Sequence, residues 1–235
     1  MADLSEALRT ALRLIAALDP RLIEIVLLSL KVSLLAVAVA SLIGFALGGA
    51  LAVYRFPGRG AAAAIVNALM GLPPVVAGLV VYLLLSNAGP LGVLQLLYTP
   101  MAMVIAQTII VIPIVGALTR QSCEDLHEEY NEQLRSLGAS SGAIVATLLW
   151  DGRYRLVTAV LAGFGRAIAE VGAVMIVGGN IDHVTRTMTT AIALETSKGN
   201  ISLALALGIV LLAISFGVSA TLMGVRRFAQ RLAYA

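Results

Sequence analysis

The sequence predicts an all-α integral membrane protein with about five transmembrane helices. Its composition and its charge distribution both point there. Hydrophobic residues make up 60% of the 235 residues and charged residues only 12%, whereas soluble domains are about half apolar and about a quarter charged. Residues 32–54, 60–119 and 199–225 contain no Asp, Glu, Lys or Arg. Each of these segments is long enough for a helix that crosses a bilayer, which takes roughly 20 residues.

Residues 4–18 predict a helix that lies in the membrane interface. Leu4, Leu8, Leu12 and Ile15 follow one another at spacings of three and four, and charged residues occupy the rest of the helix surface. This pattern is typical of an interfacial amphipathic helix. We assign residues 1–21 to it, with anchoring as its simplest role. The charges among these residues also argue against a cleaved signal peptide.

The longest charge-free segment, residues 60–119, must fold back on itself. At about 1.5 Å per residue it is far too long for a single crossing. Its turn-forming residues lie between Asn87 and Pro100, so the segment divides there into two spans. The five predicted spans are residues 22–54, 61–86, 101–119, 156–178 and 200–225.

The distribution of Lys and Arg predicts the orientation, because these residues accumulate on the cytoplasmic side of a membrane. If the turn at residues 55–59 is cytoplasmic, that side carries nine Lys and Arg residues and the opposite side carries six. We therefore expect the N-terminus outside and the C-terminus, with Arg226, Arg227 and Arg231, in the cytoplasm.

Several function classes lack the residues they need. A single cysteine, Cys123, cannot form an intrachain disulfide. The sequence has no GxxxxGK[ST] phosphate loop for ATP hydrolysis, and no HExxH or GxSxG motif. We therefore predict no catalytic residue and no metal site. The net charge of +3 comes without a basic, aromatic-rich patch, so nucleic acid is not an expected partner.

Two features inside the predicted spans are candidates for a gate or a pathway. Arg166 and Glu170 are four residues apart in the fourth span, so on a helix they would share a face and pair. They either serve the pathway or form a structural ion pair. Pro73 and Pro74 must interrupt the second span. With Gly71 nearby, we favour a bend or gate hinge over a kink that only serves packing.

Residues 120–155 form a polar segment that is too short for a domain and too long for a simple turn. The sequence predicts a first, acidic helix, a break at residues 140–142 and a second, apolar helix from Ala143 to Trp150. Two short helices would make a compact knob on the cytoplasmic face. Such a knob either docks in the groove of another protein or is a solvated connector.

The spacing in this segment resembles the EAA loop of ATP-binding cassette (ABC) importer permeases. The family pattern is Glu-Ala-Ala, three residues, Gly, nine residues, Ile, any residue and Leu-Pro; Glu132, Gly138 and Leu148 stand at the matching positions. Gln133-Leu134 and Trp150-Asp151 depart from it. The resemblance implies ATPase-coupling contacts at Glu132, Leu134, Leu137, Gly138 and Ala139.

Four further stretches resemble the permease subunit of tungstate importers, which are related to molybdate and sulfate permeases. These are residues 67–78, 163–173, 177–181 and 189–199, and the resemblance spans about residues 22–225. It implies a type I ABC importer permease in the cytoplasmic membrane of a prokaryote. Two copies of the chain would form the pathway across the lipid bilayer, and two cytoplasmic ATPase subunits would bind ATP and Mg. An extracytoplasmic binding protein would deliver tungstate, and the chain itself would hold no cofactor.

A pathway for a tetrahedral dianion should offer cations and hydrogen-bond donors, because such an ion is costly to place in hydrocarbon. The outer segment provides Arg186, Thr187, Thr189 and Thr190 as candidate contacts. The threonines could equally be ordinary polar residues of an exterior loop.

Three alternatives remain at this point. A molybdate or sulfate permease of the same class fits the same residues. A secondary transporter or channel would work without an ATPase and predicts internal repeats, which we do not find in the sequence. A membrane-embedded scaffold would leave the spacing between Glu132 and Gly138 unexplained.

Overall fold

A computed structural model describes residues 4–233 of the chain. In this range the chain forms α-helices and a short 3-10 helix, Gly92–Leu94, with no β-strand. The α-helices are α1 (Leu4–Ala16), α2 (Pro20–Val53), α3 (Arg59–Leu69), α4 (Pro74–Leu85), α5 (Pro100–Ser136), α6 (Ser141–Asp151), α7 (Arg153–Ile168), α8 (Gly172–Gly178), α9 (Met188–Ser197) and α10 (Ile201–Ala233).

Three helices in the described range are long and apolar enough to cross a membrane. They are α2, α5 and the Ile201–Val218 part of α10. The number rises to five if α3 with α4 and α7 with α8 each count as one span that is bent at a short break. The all-α membrane fold is therefore confirmed, and the predicted spans at residues 61–86 and 156–178 are each interrupted.

The prolines account for the first interruption. Pro73 is the N-cap of α4 in an extended conformation, and Pro74 is the first residue of that helix. Proline suits this first position because its missing N–H would have no partner inside the helix. The predicted interruption at Pro73 and Pro74 is confirmed, while their role in a hinge stays a prediction.

The polar segment differs from its prediction at its first helix. The predicted span at residues 101–119 and the predicted acidic helix are one continuous helix, α5, of 37 residues. Arg120 marks the end of the apolar stretch but not the end of the helix, since charged residues are good helix formers in water. The second predicted helix is present as α6, but the break before it lies at residues 137–140 and not at residues 140–142.

The predictions about the two ends of the chain, an interfacial helix and a cytoplasmic C-terminus, stay predictions. Helix α1 covers most of the predicted N-terminal helix, and its place in a membrane interface stays a prediction. Residues 1–3 and the side chains of Arg226, Arg227 and Arg231 lie outside the described part of the structure.

The chain divides into two compact units. The first unit comprises the chain up to residue 35, residues 73–107 and residues 168–218. It contains α4, α8 and α9 together with parts of the longer helices. Its core includes the fully buried side chains of Val32, Met103, Val177, Met188 and Leu207.

The second unit comprises residues 36–72, residues 108–167 and the chain from residue 219. In it, α2, α5 and α7 approach one another closely at glycines. A Cβ atom added to Gly48 would lie 2.5 Å from the carbonyl oxygen of Gly116, and one added to Gly163 would lie 2.8 Å from a methyl carbon of Val111. Small residues of this kind let helix backbones pack at short range inside a membrane.

We expect Gly48→Ala to destabilise the protein. The added methyl group would overlap backbone atoms of Gly116 and Arg120 that have no flexible side chain to move aside. Overpacking of this kind costs about 1–3 kcal/mol, which should lower the midpoint of thermal unfolding in detergent.

The matched control is Gly165→Ala in α7, where an added Cβ atom has no neighbour within 4 Å. Because alanine is the better helix former by about 1 kcal/mol, this variant should unfold at the same or a higher temperature. Equal midpoints for Gly48→Ala and the unsubstituted protein would contradict the close approach of α2 and α5.

Candidate functional site

The end of α5 and helix α6 form a knob that shares a small apolar core with the end of α2. We use the name polar knob for residues 120–136 of α5, the turn at residues 137–140 and α6. Leu134 and Ala139 pack against the core from the side of the turn. The buried core residues are Ala52, Val53, Cys123, Leu126, Ile144 and Leu148.

The turn of the knob has a defined backbone geometry. Gly138 has a φ of +72°, a conformation that side chains other than glycine rarely adopt. The N–H of Ala139 donates to the carbonyl of Leu134 at 3.0 Å, and the N–H of Gly138 donates to the carbonyl of Arg135 at 2.9 Å. These two bonds are the Schellman arrangement that ends helices, and they satisfy the last carbonyls of α5. Ser140 then caps α6 by accepting from the N–H of Ala143 at 3.3 Å.

The turn presents an apolar side chain to the outside. Leu137 is 82% exposed, and Glu132 and Gly138 are exposed beside it in the sequence. Leu137 is therefore available for a contact with another protein at a turn whose backbone is fixed by capping hydrogen bonds.

Arg59 fastens the knob to neighbouring helices of the second unit. Its Nη2 lies 2.6 Å from Oε1 of Glu124 on α5, and Arg120 pairs with the other oxygen of Glu124 at 3.0 Å. Arg59 also donates from Nε to the carbonyl of Leu51 at 2.5 Å and from Nη2 to that of Ala52 at 3.2 Å. One guanidinium therefore satisfies carbonyls at the end of α2 and holds α5, and Arg59 is itself the first residue of α3.

In the first unit, α4 and α8 pack tightly through glycines. A Cβ atom added to Gly78 would lie 2.7 Å from the Cα atom of Ala173, and one added to Gly172 would lie 2.8 Å from a methyl carbon of Val75. No atom larger than hydrogen fits at either position without movement. Gly71 is different, because a Cβ atom there would make an ordinary contact of 3.5 Å.

Glu170 lies in the break between α7 and α8 and is 3% exposed. Its Oε1 accepts a hydrogen bond from the N–H of Ala173 at 3.0 Å, and its backbone carbonyl accepts one from Oγ1 of Thr189 at 2.7 Å. Glu170 thus supplies hydrogen bonds where the helix is interrupted.

Thr187 and Thr190 close the start of α9. The N–H of Thr187 donates to Oγ1 of Thr190 at 3.0 Å, and the Thr187 side chain accepts from the backbone N–H of Thr190. This capping box satisfies two N–H groups that a helix start leaves without partners. Thr187, Thr189 and Thr190 are all buried, so they are not residues of an open loop.

A polar cavity of about 180 Å³ lies beside α9 in the first unit. Arg186 reaches it and pairs with Asp182 at 2.6 Å, while His183 lies 2.8 Å from Glu24. Burial opposes ionisation of Glu195, but hydrogen bonds from Lys198 and Asn200 outweigh it and lower the pKa of this carboxyl group. Two cations at the cavity, Arg186 and Lys198, therefore already have carboxylate partners.

The described residues contain no cluster of three or more His, Cys, Asp and Glu side chains that could hold a metal ion.

The sequence is similar to permease subunits of anion transporters. The tungstate uptake system permease protein TupB of Peptoclostridium acidaminophilum is 40% identical over 222 residues, which cover 94% of this chain and 97% of that protein. The chain belongs to the ABC transporter permease family that contains TupB.

Two further relatives support the assignment of the chain to this family. A probable anion ABC transporter permease protein of Haloferax volcanii is 41% identical over 204 residues, or 85% of this chain and 88% of that protein. The sulfate transport system permease protein CysT of Salmonella typhimurium is 31% identical over 196 residues, or 79% of this chain and 71% of that protein. The sequence matches no protein-family profile.

The structure places the predicted site residues of the permease at the polar knob, at the start of α9 and at the two breaks in the spans. The coupling candidates from Glu132 to Ala139 lie together at the turn of the polar knob. Arg186 and the three threonines lie around the start of α9. Arg166 lies in the last turn of α7 and Glu170 lies beyond the end of that helix. The expectation that these two lie on one helix is therefore wrong, because the helix stops at Ile168, while their pairing stays a prediction.

Sequence reasoning missed the role of Arg59 in the permease. In the sequence, Arg59 ends the turn at residues 55–59 and Glu124 is one of several acidic residues in the polar segment, and nothing links the two. The available signal was the position of Arg59 shortly after a helix end, where a cation can bind the last carbonyls. Its pairing with Glu124 joins residues far apart in the sequence and leaves no local signal.

We expect Thr187→Val to destabilise the permease, because it removes the hydroxyl that caps α9. Loss of an N-cap hydroxyl costs about 0.5–2 kcal/mol, and the midpoint of thermal unfolding should fall accordingly. Thr187→Ser keeps the hydroxyl and serves as the control, with stability close to that of the unsubstituted permease. The opposite result would be a Thr187→Val variant that is as stable as the unsubstituted permease but needs a higher anion concentration for half-maximal transport. That result would indicate direct contact between Thr187 and the anion.

Proposed function

We propose that this chain is the permease subunit of an importer that moves tungstate across the cytoplasmic membrane of a prokaryote. The observation that carries this proposal is the 40% identity to a permease named for tungstate uptake, over 94% of the chain. The named sulfate permease of Salmonella typhimurium is more distant, at 31% identity over 79% of the chain.

In the proposed transporter, two copies of the chain form the pathway. Two cytoplasmic ABC ATPase subunits bind ATP and Mg and hydrolyse the nucleotide, and an extracytoplasmic binding protein delivers the anion. The permease contributes transport and no nucleotide site. The polar knob supports this arrangement, since it offers an ordered turn with Leu137 exposed at its tip. The proposed topology places the knob and the C-terminus in the cytoplasm and the N-terminus outside.

The knob would transmit movement of the ATPase subunits to the spans. Contacts at Glu132, Leu134, Leu137, Gly138 and Ala139 would move with the ATPase when ATP binds. Because Arg59 joins Glu124 of the knob to the last carbonyls of α2, a displacement of α5 reaches α2 and the start of α3 directly.

The breaks in the spans are the proposed gate positions. One break contains Gly71 and Pro73 and ends where α4 begins at Pro74, and the other contains Glu170 shortly after Arg166. A helix lacks part of its hydrogen-bond ladder at such a break, so bending there costs less than bending a continuous helix. We therefore propose these residues as the positions at which access to the pathway changes.

The proposed oxyanion contacts are Arg186, Thr187, Thr189 and Thr190, on the condition that their present hydrogen bonds and ion pair open. Their polar groups bind other parts of the protein in this structure. Contact with an anion therefore requires the start of α9 to exchange these internal bonds for bonds to the oxyanion.

Reconstitution tests the proposed substrate and energy source. The chain is placed in vesicles with its candidate ATPase and binding protein, and both ATP hydrolysis and anion uptake are measured with tungstate, molybdate and sulfate. We expect tungstate to stimulate hydrolysis and uptake most at equal, low anion concentration. Stimulation by sulfate but not by tungstate would contradict the substrate. Uptake by the chain without any ATPase would indicate a secondary transporter.

Replacement of Gly138 tests the coupling turn. In Gly138→Leu the new side chain enters open space, so it does not disturb the knob core, but it strains the left-handed backbone and adds bulk at the contact. We expect stimulated ATP hydrolysis to fall by about tenfold or more, which corresponds to a loss of about 1.4 kcal/mol. Membrane insertion should stay intact, as measured by the yield of protein that elutes as a single species.

Gly138→Asn is the matched control, because asparagine adopts the left-handed conformation at lower cost and adds less bulk. This variant should retain most of the coupling. Normal coupling in Gly138→Leu would rule out a contact at this turn.

A further inference from the structure

An apolar groove runs along the second unit between α2, α6 and α7. It encloses about 520 Å³, and almost all of its lining is hydrocarbon. Helix α2 meets the criteria for a membrane span, and α7 does so together with α8. The lining residues include Phe45, Ala146, Leu149, Val157, Val160 and Leu161.

One end of the groove is polar and carries a positive charge. The guanidinium carbon of Arg153 lies 5.0 Å from the ring centre of Trp150 and 4.8 Å from that of Tyr154. Its Nη1 also donates to the carbonyl of Trp150 at 2.8 Å. These contacts hold the cation at the mouth of the groove, although Trp150 itself is 69% exposed.

The charge of Arg153 has no carboxylate partner within the described part of the chain. Arg155, two residues further on, differs because it pairs with Asp125 at 3.3 Å. Helix α7 begins at Arg153, so the positive end of the helix dipole adds to the charge of the guanidinium. The mouth of the groove therefore favours an anion.

The order of polarity along the groove matches one kind of ligand. Trp, Tyr and Arg are typical of the level of the lipid headgroups, and the purely apolar part continues along helices that enter the hydrocarbon layer. A ligand that fits has a hydrocarbon chain at one end and a negative charge at the other. A phospholipid with a net negative headgroup has both, at the correct depth.

We propose that this groove binds an anionic phospholipid of the surrounding bilayer, with an acyl chain in the groove and the headgroup phosphate on Arg153. The inference depends only on the groove and its mouth, so it holds whichever anion the permease transports. A second copy of the chain and an ATPase subunit are the other conceivable occupants, and the experiment distinguishes them from a lipid.

Trp150 provides the probe, because it is the only tryptophan among the 235 residues. The full-length permease is reconstituted in phosphatidylcholine vesicles that contain a fixed fraction of either brominated phosphatidylglycerol or brominated phosphatidylcholine. Bromine atoms on the acyl chain quench tryptophan fluorescence at short range. We expect the brominated phosphatidylglycerol to quench Trp150 more strongly, and this preference to weaken at high salt, which screens exposed charges.

Arg153→Gln should remove most of the preference. One cation near a membrane surface changes the binding of anionic lipid by about fivefold, so the affinity ratio of phosphatidylglycerol to phosphatidylcholine should fall by about that factor. Quenching by brominated phosphatidylcholine should remain. Arg155→Gln is the matched control, since it removes a nearby cation that pairs with Asp125, and it should leave the ratio unchanged.

Three outcomes would overturn the proposal. Equal quenching by the two lipids would show that the groove does not select a negative headgroup. Equal loss of preference in Arg153→Gln and Arg155→Gln would assign the effect to general surface charge. No quenching by either lipid would mean that protein covers the groove, as a second copy of the chain would do, or that it faces water, as an ATPase contact would require.

Discussion

The need to satisfy backbone hydrogen bonds without water governs this structure. Inside a bilayer an unpaired N–H or carbonyl group costs several kcal/mol, so each break in a span requires substitute partners. At the break after α7, the Glu170 carboxylate accepts from the N–H of Ala173, and Thr189 donates to the carbonyl of Glu170. The hydrogen bonds of these buried polar residues in the first unit therefore offset the cost of interrupting a membrane helix.

The same requirement explains how the polar knob is attached. Helix α2 ends with carbonyl groups that need donors, and Arg59 supplies two of them while also pairing with Glu124. A residue that completes a helix end thus also connects three helices. A guanidinium suits this position because its five N–H donors can serve several acceptors at once, which a lysine ammonium does less well.

The sequence predicted those features that follow from local chemistry. The absence of charge over long stretches predicted the spans, Pro73 and Pro74 predicted a break, and the small residues at 140–142 predicted a second break close to the turn that the structure has at residues 137–140. Contacts between distant residues could not be predicted in this way. The pairing of Arg59 with Glu124 and the packing of Gly48 on Gly116 depend on how helices approach one another. The second break was missed because Ala169, Glu170 and Val171 contain no proline, and glycine follows only at Gly172.

The continuity of α5 has a mechanical consequence. From Pro100 to Ser136 the helix extends for about 55 Å at 1.5 Å per residue, which is longer than the hydrocarbon layer of a bilayer is thick. The far end of this helix carries the polar knob, and Pro113 inside it is the position at which the helix bends most easily. A small tilt of the apolar part of α5 leaves its side-chain packing intact. The same tilt displaces the far end of the helix by a greater distance than it displaces the packed part. In the proposed transporter, a large movement of the ATPase subunits would therefore reach the tightly packed spans as a small one.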